Sequence, residues 1–121
     1  MATTGKFSVI RLEPHERGSV HVLAAGKRTV RILVTAHARH RIQLWRLAVR
    51  TVLRTLLFPE EVLRGHRGRF IAHIAHWRRR NHVVRVVYEY EADLVVVVTV
   101  YNPLAKRYFC GGGRYEDQIL A

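Results

Sequence analysis

Cysteine is almost missing from this chain. Cys110 is the only one in 121 residues, so no internal disulfide can brace the fold, a usage that suits a reducing compartment. Long apolar runs are missing as well. No stretch reaches the roughly eighteen apolar residues that a membrane-spanning helix needs. The opening MATTGKFSVIRLEP has no extended apolar centre of the signal-peptide kind, and the expected location is the cytoplasm. Lysine occurs only at Lys6, Lys27 and Lys106, and Asn and Gln are scarce. The most telling shortage is negative charge. Nine acids stand against 21 Lys and Arg, a formal charge of +12 with a pI near 11.2. No acid lies between Arg17 and Pro59, and none between Val62 and Tyr88. A chain with so little internal compensation attracts a polyanion or an acidic protein. Its cations are mostly Arg, whose planar fork grips a phosphate at two points.

Apolar residues are plentiful at 49%, enough for one domain with its own core. FSVIRL (7–12), SVHVLA (19–24) and TVRILVT (29–35) read as strands, separated by turns at HERG (15–18) and AAGKR (24–28). Residues 36–57 carry neither Gly nor Pro. Ile42, Trp45, Val49, Val52, Leu53 and Leu56 recur at helical spacing, with Arg46, Arg50 and Arg54 four apart on the other side. Thr35 is placed to cap the start and Pro59 to end the run near Phe58, with a break into two helices around Trp45 to Leu47. EEVLRGHRG (60–68) reads as a turn and loop.

The period then changes to two. Phe70, Ala72 and Ile74 share one face of RFIAHIAHW (69–77), and RRRN (78–81) reads as a hairpin turn. Val84, Val86, Tyr88 and Tyr90 share a face of the next strand, with Arg85, Val87, Glu89 and Glu91 on the other. LVVVVTVY (94–101) is apolar on both faces, as a central buried strand is. KRYF (106–109) reads as the start of a further strand. Short links between these strands imply an antiparallel meander. The expected fold is therefore α+β, with one or two helices packed on an antiparallel sheet of about four to six strands. Residues 1–28 form an N-terminal extension, expected as strands joining the sheet, and 29–121 form the main domain.

Several segments together resemble one family. They are HARHRI (37–42), FPEEV (58–62), GRFIAH (68–73), VRVVYE (84–89), TVY (99–101) and RYFCGGGRYEDQIL (107–120). In that order they resemble the domain of unknown function 4258 family across about residues 30–120. Where members often carry an Arg four residues after the HA-x-x-R arginine, this chain has Trp45. The family is similar in outline to RelE-type toxins, and many members look like partners of small acidic antitoxin-like proteins. The resemblance thus implies a toxin component that cleaves RNA, on ribosome-bound mRNA or free, without a metal or other cofactor. A homodimer is left open, and no membrane partner is expected.

RNA cleavage of that kind needs a group to accept the 2′-hydroxyl proton and cations to stabilise a phosphorane. His37 and Arg41 lie one turn apart at the expected helix start, where the helix N-terminus also favours an anion. Arg85 projects from a strand, and Arg107, Tyr108 and Arg114 cluster near the end. These six are the candidate catalytic residues. Arg39, Arg46, Arg50, Arg54 and Arg69 are the candidate RNA-binding set. Tyr88, Tyr90 and Tyr101 read more simply as packing. The triglycine lacks the strand–loop–helix context of a phosphate-binding fingerprint. His37/His40 and His73/His76 have no thiolate or carboxylate cluster to complete a metal site. A basic binding module without cleavage is the alternative reading, and a protein whose basicity serves only assembly is a third.

Overall fold

The structure, a computed structural model, describes residues 5–76, 78–108 and 113–121. Seven strands form one sheet: β1 (Ser8–His15), β2 (Gly18–Ala25), β3 (Arg28–Thr35), β4 (Glu61–Arg64), β5 (Phe70–Ala75), β6 (Val83–Glu91) and β7 (Leu94–Tyr101). Between β3 and β4 come two helices, α1 (Ala36–Leu44) and α2 (Val49–Leu57), and a single turn, α3 (Ala105–Tyr108), follows β7. The strand order is β1-β2-β3-β7-β6-β5-β4. Among the described residues no helix is long and apolar enough to cross a membrane.

This architecture corrects the expected one. The sheet is mixed, because β3 pairs with β7 in parallel, Arg31 beside Leu94 and Val34 beside Val97. It has seven strands rather than about four to six, and strand, not helix, dominates. The parallel pairing arises because the last strand does not add to an edge. It enters between β3 and β6, in the middle of the sheet. EVLR, expected as turn and loop, is strand β4, with Glu61 paired to His73 and Val62 to Ala72. Lys106, Arg107 and Tyr108, expected as the start of a strand, lie in the helical turn Ala105–Tyr108. Phe109, the rest of that expected strand, lies outside the described residues, as does the triglycine up to Gly112.

The helices form for local reasons. Thr35 Oγ1 accepts the Ala38 N–H at 3.1 Å and donates to the Val97 carbonyl at 3.0 Å, tying the helix start to the central strand. Arg46, at φ 55°, turns the chain out of α1 in the left-handed conformation. The Leu47 N–H then closes back on the Ile42 carbonyl and the Arg46 N–H on that of Gln43, both at 3.0 Å, a Schellman ending. In α2, Val52, Leu53, Leu56 and Leu57 are buried, and the helix stops ahead of Pro59, which cannot extend it.

Alternation assigns the two sheet faces. Leu23, Ile32, Val34, Val84, Val86, Tyr88, Val97 and Val100 pack with Ala38, Ile42, Val52, Leu53 and Leu56 in the main core, between sheet and helices. Ile119 and Leu120 rest against it. The opposite face has a smaller apolar strip, Val20, Val22, Leu33 and Val96. It is roofed by ion pairs: Glu13 with Arg11 and Arg31, Arg31 with Asp93, Arg17 with Glu91, and Arg69 with Glu89.

Candidate active site

A row of polar residues crosses the sheet face opposite the main core. Glu61 on β4 is the pairing partner of His73 on β5, His73 of Arg85 on β6, and Arg85 of Tyr101 on β7. A register of consecutive partners puts all four side chains on one face, side by side. His73 Nδ1 lies 3.0 Å from Glu61 Oε2, and Arg85 Nη1 lies 3.2 Å from His73 Nε2. His73 and Glu61 are buried, at 0% and 2% exposure.

Charge fixes the protons in this row. A guanidinium has only donors, so Arg85 donates and His73 Nε2 accepts. The His73 proton then sits on Nδ1 and is donated to the Glu61 carboxylate. Burial pushes the His73 pKa down; the bond to Glu61 opposes this, and the Arg85 charge adds to it. The imidazole is thus a neutral spacer that aims Arg85 and passes the restraint of Glu61 to it.

At the β7 end the row meets α1. The Arg41 guanidinium stands over the Tyr101 ring, 5.3 Å from its centroid. Arg41 thus approaches Tyr101 from the helix, and Arg85 is its pairing partner on the neighbouring strand. The Arg41 Nε is buried without a hydrogen-bond partner, and so is the Thr99 Oγ1, two residues before Tyr101 on the same strand. Buried polar atoms are almost always satisfied, so the Arg41 Nε–H is a donor for which the described residues supply no acceptor. His37, four residues before Arg41, is exposed on the same side of α1.

The structure thus places Arg41 over Tyr101 and Arg85 beside that residue in the sheet register, with His37 one helical turn from Arg41. It sets Arg114 apart. That residue is exposed and its carbonyl accepts the Val62 N–H at 2.7 Å, on the outer edge of β4, with β5 and β6 between it and β7. Arg107 and Tyr108 lie in the turn of α3, and their side chains fall outside the described residues. Of the candidate RNA-binding residues, Arg69 is paired with Glu89 at 2.9 Å. Arg50 and Arg54 each donate to a backbone carbonyl of the N-terminal segment, Phe7 at 3.1 Å and Gly5 at 2.8 Å. Arg39 is exposed beside Leu12 and His21, and Arg46 sits in the reversal between the helices. Sequence reasoning does not single out Glu61, His73 or Tyr101 for the site. The signal for His73 is its place on the strand face opposite Phe70, Ala72 and Ile74, shared with Arg85 and the acids of β6.

The fold is that of a small basic α+β protein whose polar row ends at Tyr101, at one end of a mixed sheet. The family model described as a domain of unknown function (DUF4258) matches residues 34–102, and the chain belongs to that family. The match runs from the end of β3 to just past β7. It includes His37, Arg41, Glu61, His73, Arg85 and Tyr101, and leaves out the β1–β2 hairpin, α3 and the tail. No curated protein and no solved structure matches the chain.

Proposed function

We propose that the protein is a metal-independent endoribonuclease, the toxin component of a toxin–antitoxin pair acting on mRNA in the cytoplasm. The observation that carries this reading is the Arg41 guanidinium over the Tyr101 ring, with its Nε buried and unmatched and with Arg85 the pairing partner of that tyrosine on the next strand. A phosphodiester supplies the acceptors that this arrangement lacks. In the reaction, the RNA 2′-oxygen attacks the adjacent phosphorus and its proton passes to the His37 imidazole. Arg41 and Arg85 stabilise the phosphorane. The bond from phosphorus to the 5′-oxygen then breaks, and the leaving oxygen takes the Tyr101 hydroxyl proton. The products are a 2′,3′-cyclic phosphate and a free 5′-hydroxyl. Glu61 and His73 are positioning residues in this scheme. The +12 charge supports a small acidic antitoxin that is drawn in electrostatically and covers the site.

The test is induced expression in a bacterium with sequencing of RNA 5′ ends, wild type against His37→Ala plus Arg41→Ala. New ends and growth arrest that disappear in the variant support the reading. No new ends from a folded, soluble wild type overturn it. A non-catalytic RNA-binding module is the second reading. The charge of +12 favours it, because charge alone binds a polyanion without any reacting group. It predicts RNA binding with a steep salt dependence and no cleavage.

A further inference from the structure

At the end of the sheet where β5 stops and β6 begins, a cleft of about 280 Å³ opens between the helix reversal and the strands. Arg46, Arg50, Arg54, His76 and Arg78 supply its polar wall, and Ile74 is part of its floor. No carboxylate is among the described residues that line it. Six of the nine acids are engaged elsewhere: Glu13, Glu89, Glu91 and Asp93 in the ion-pair roof, Glu61 on His73, and Asp117 on two tyrosines, while Glu60 accepts the Ala75 N–H at 2.7 Å.

Three features make the cleft more than a charged surface. Arg50 is held in place by the Phe7 carbonyl and by stacking on the Phe7 ring, 4.3 Å from its centroid. Arg54 is fixed by the Gly5 carbonyl and stands over the same ring at 5.4 Å. Each fork is thus already ordered before a ligand arrives and keeps further N–H donors for it. Arg46 reaches the cleft from a left-handed backbone position that a non-glycine residue occupies at some cost. The cleft also lies at the same end of the sheet as Tyr101. Arg46 follows the end of α1, which carries Arg41, and Ile74 of the cleft floor neighbours His73 on β5 but faces the other side of the sheet, so the two places meet only around the sheet end.

We propose that this cleft is a second phosphate subsite, receiving the backbone of the single-stranded RNA whose reacting link lies at Arg41, Tyr101 and Arg85. The inference rests on the endoribonuclease reading for its substrate. A repeating phosphodiester reaches two arginine sites at one sheet end at once, which a lone phosphate or mononucleotide does not. A strand gripped at both points is held in register with the reacting bond, so the cleft sets the directional hold on the RNA while Arg41 and Arg85 act on the phosphorane.

The test is the fluorescence anisotropy of a labelled 2′-O-methyl oligouridylate, which binds but cannot be cut, titrated across salt concentrations. Arg46→Gln with Arg78→Gln removes two cleft cations. Arg64→Gln with Arg67→Gln, exposed in the β4–β5 region at the other end of the sheet, removes the same charge. Thermal melts confirm that both variants fold. The cleft variant is expected to bind roughly tenfold more weakly, with the salt slope reduced by about 0.7 for each phosphate it no longer neutralises, and the control to change little. Equal weakening in the two variants overturns the subsite. So does polyglutamate competing as well as RNA of equal length, which would make the cleft a surface for an acidic protein. If the cleft effect holds but the wild type cuts no RNA, the subsite stands and the endoribonuclease reading falls. Cutting that is indifferent to the cleft variant in KM does the reverse.

Discussion

One oxygen of Asp117 accepts hydrogen bonds from two tyrosines. Tyr88 and Tyr90 both place their hydroxyls 2.6 Å from its Oδ2. Burial pushes both phenol pKa values upward, and the Asp117 bond and charge push them further. A raised folded-state pKa contributes stability that is complete below the unfolded value and fades as pH rises beyond it. The protein should therefore lose stability above pH about 10, where unfolded tyrosines ionise. Urea midpoints measured from pH 8 upward check this, and Asp117→Asn should flatten the decline. Asp117→Ala leaves the buried Tyr88 hydroxyl without its partner and should cost about 1–3 kcal/mol. His73 works in the other direction. Its folded pKa is lowered, so its contribution is present above the unfolded value and is lost as pH falls. Stability should drop below pH about 6.5. His21 and His76, also lowered chiefly by burial, add to that slope. His73→Gln should remove one proton from the measured uptake on acid unfolding.

At the level of elements, the turn between β6 and β7 carries a local strain. Glu91 pairs with Leu94, so Ala92 and Asp93 alone make the link, and Ala92 sits at φ 54°. A positive φ at the first central position is where hairpin turns favour glycine. Ala92→Gly should raise stability by about 1 kcal/mol, read as a higher melting temperature. The helices and β5, β6 and β7 were legible in the sequence because their signals are local. Thr35 offers a cap, Val52, Leu53 and Leu56 mark a face, Pro59 forbids continuation, and β5 and β6 alternate cleanly. β4 was not legible. Its four residues look like loop, and its strand character comes from pairing with β5, where Glu61 gains a partner in His73. The parallel pairing of β3 with β7 is equally invisible, because neither strand's own pattern names its neighbour. The site was legible in part. Arg41 and Arg85 stand out as cations on a helix start and a strand's polar face. Tyr101 reads as packing until Arg41 is found over its ring, and Arg114 looks adjacent only because it follows Arg107 and Tyr108 closely in the chain.

Over the whole molecule, charge is sorted by place. Four of the nine acids, Glu13, Glu89, Glu91 and Asp93, are neutralised against Arg11, Arg17, Arg31 and Arg69 on the face opposite the main core. The cleft at the helix reversal has cations and no acids among its described lining residues. Stability is distributed just as unevenly. β7 is flanked on both sides by strands and is buried at Val95, Val96, Val97 and Val100. β1 is an edge strand with Val9, Ile10 and Leu12 exposed. Val97→Ala should cost about 2 kcal/mol in chemical denaturation, and Ile10→Ser less than about 0.5 kcal/mol.

The central position of β7 has a consequence for a chain made one residue at a time. When β1, β2 and β3 leave the ribosome, the inner edge of β3 has no strand beside it. It stays open while both helices and β4, β5 and β6 are synthesised, since β7 alone fills the place between β3 and β6. Until then TVRILVT presents unpaired N–H and C=O groups beside apolar side chains, the kind of edge that captures other nascent chains. The seventh strand completes both halves of the sheet in one step, and the yield of native protein rests on how quickly it arrives.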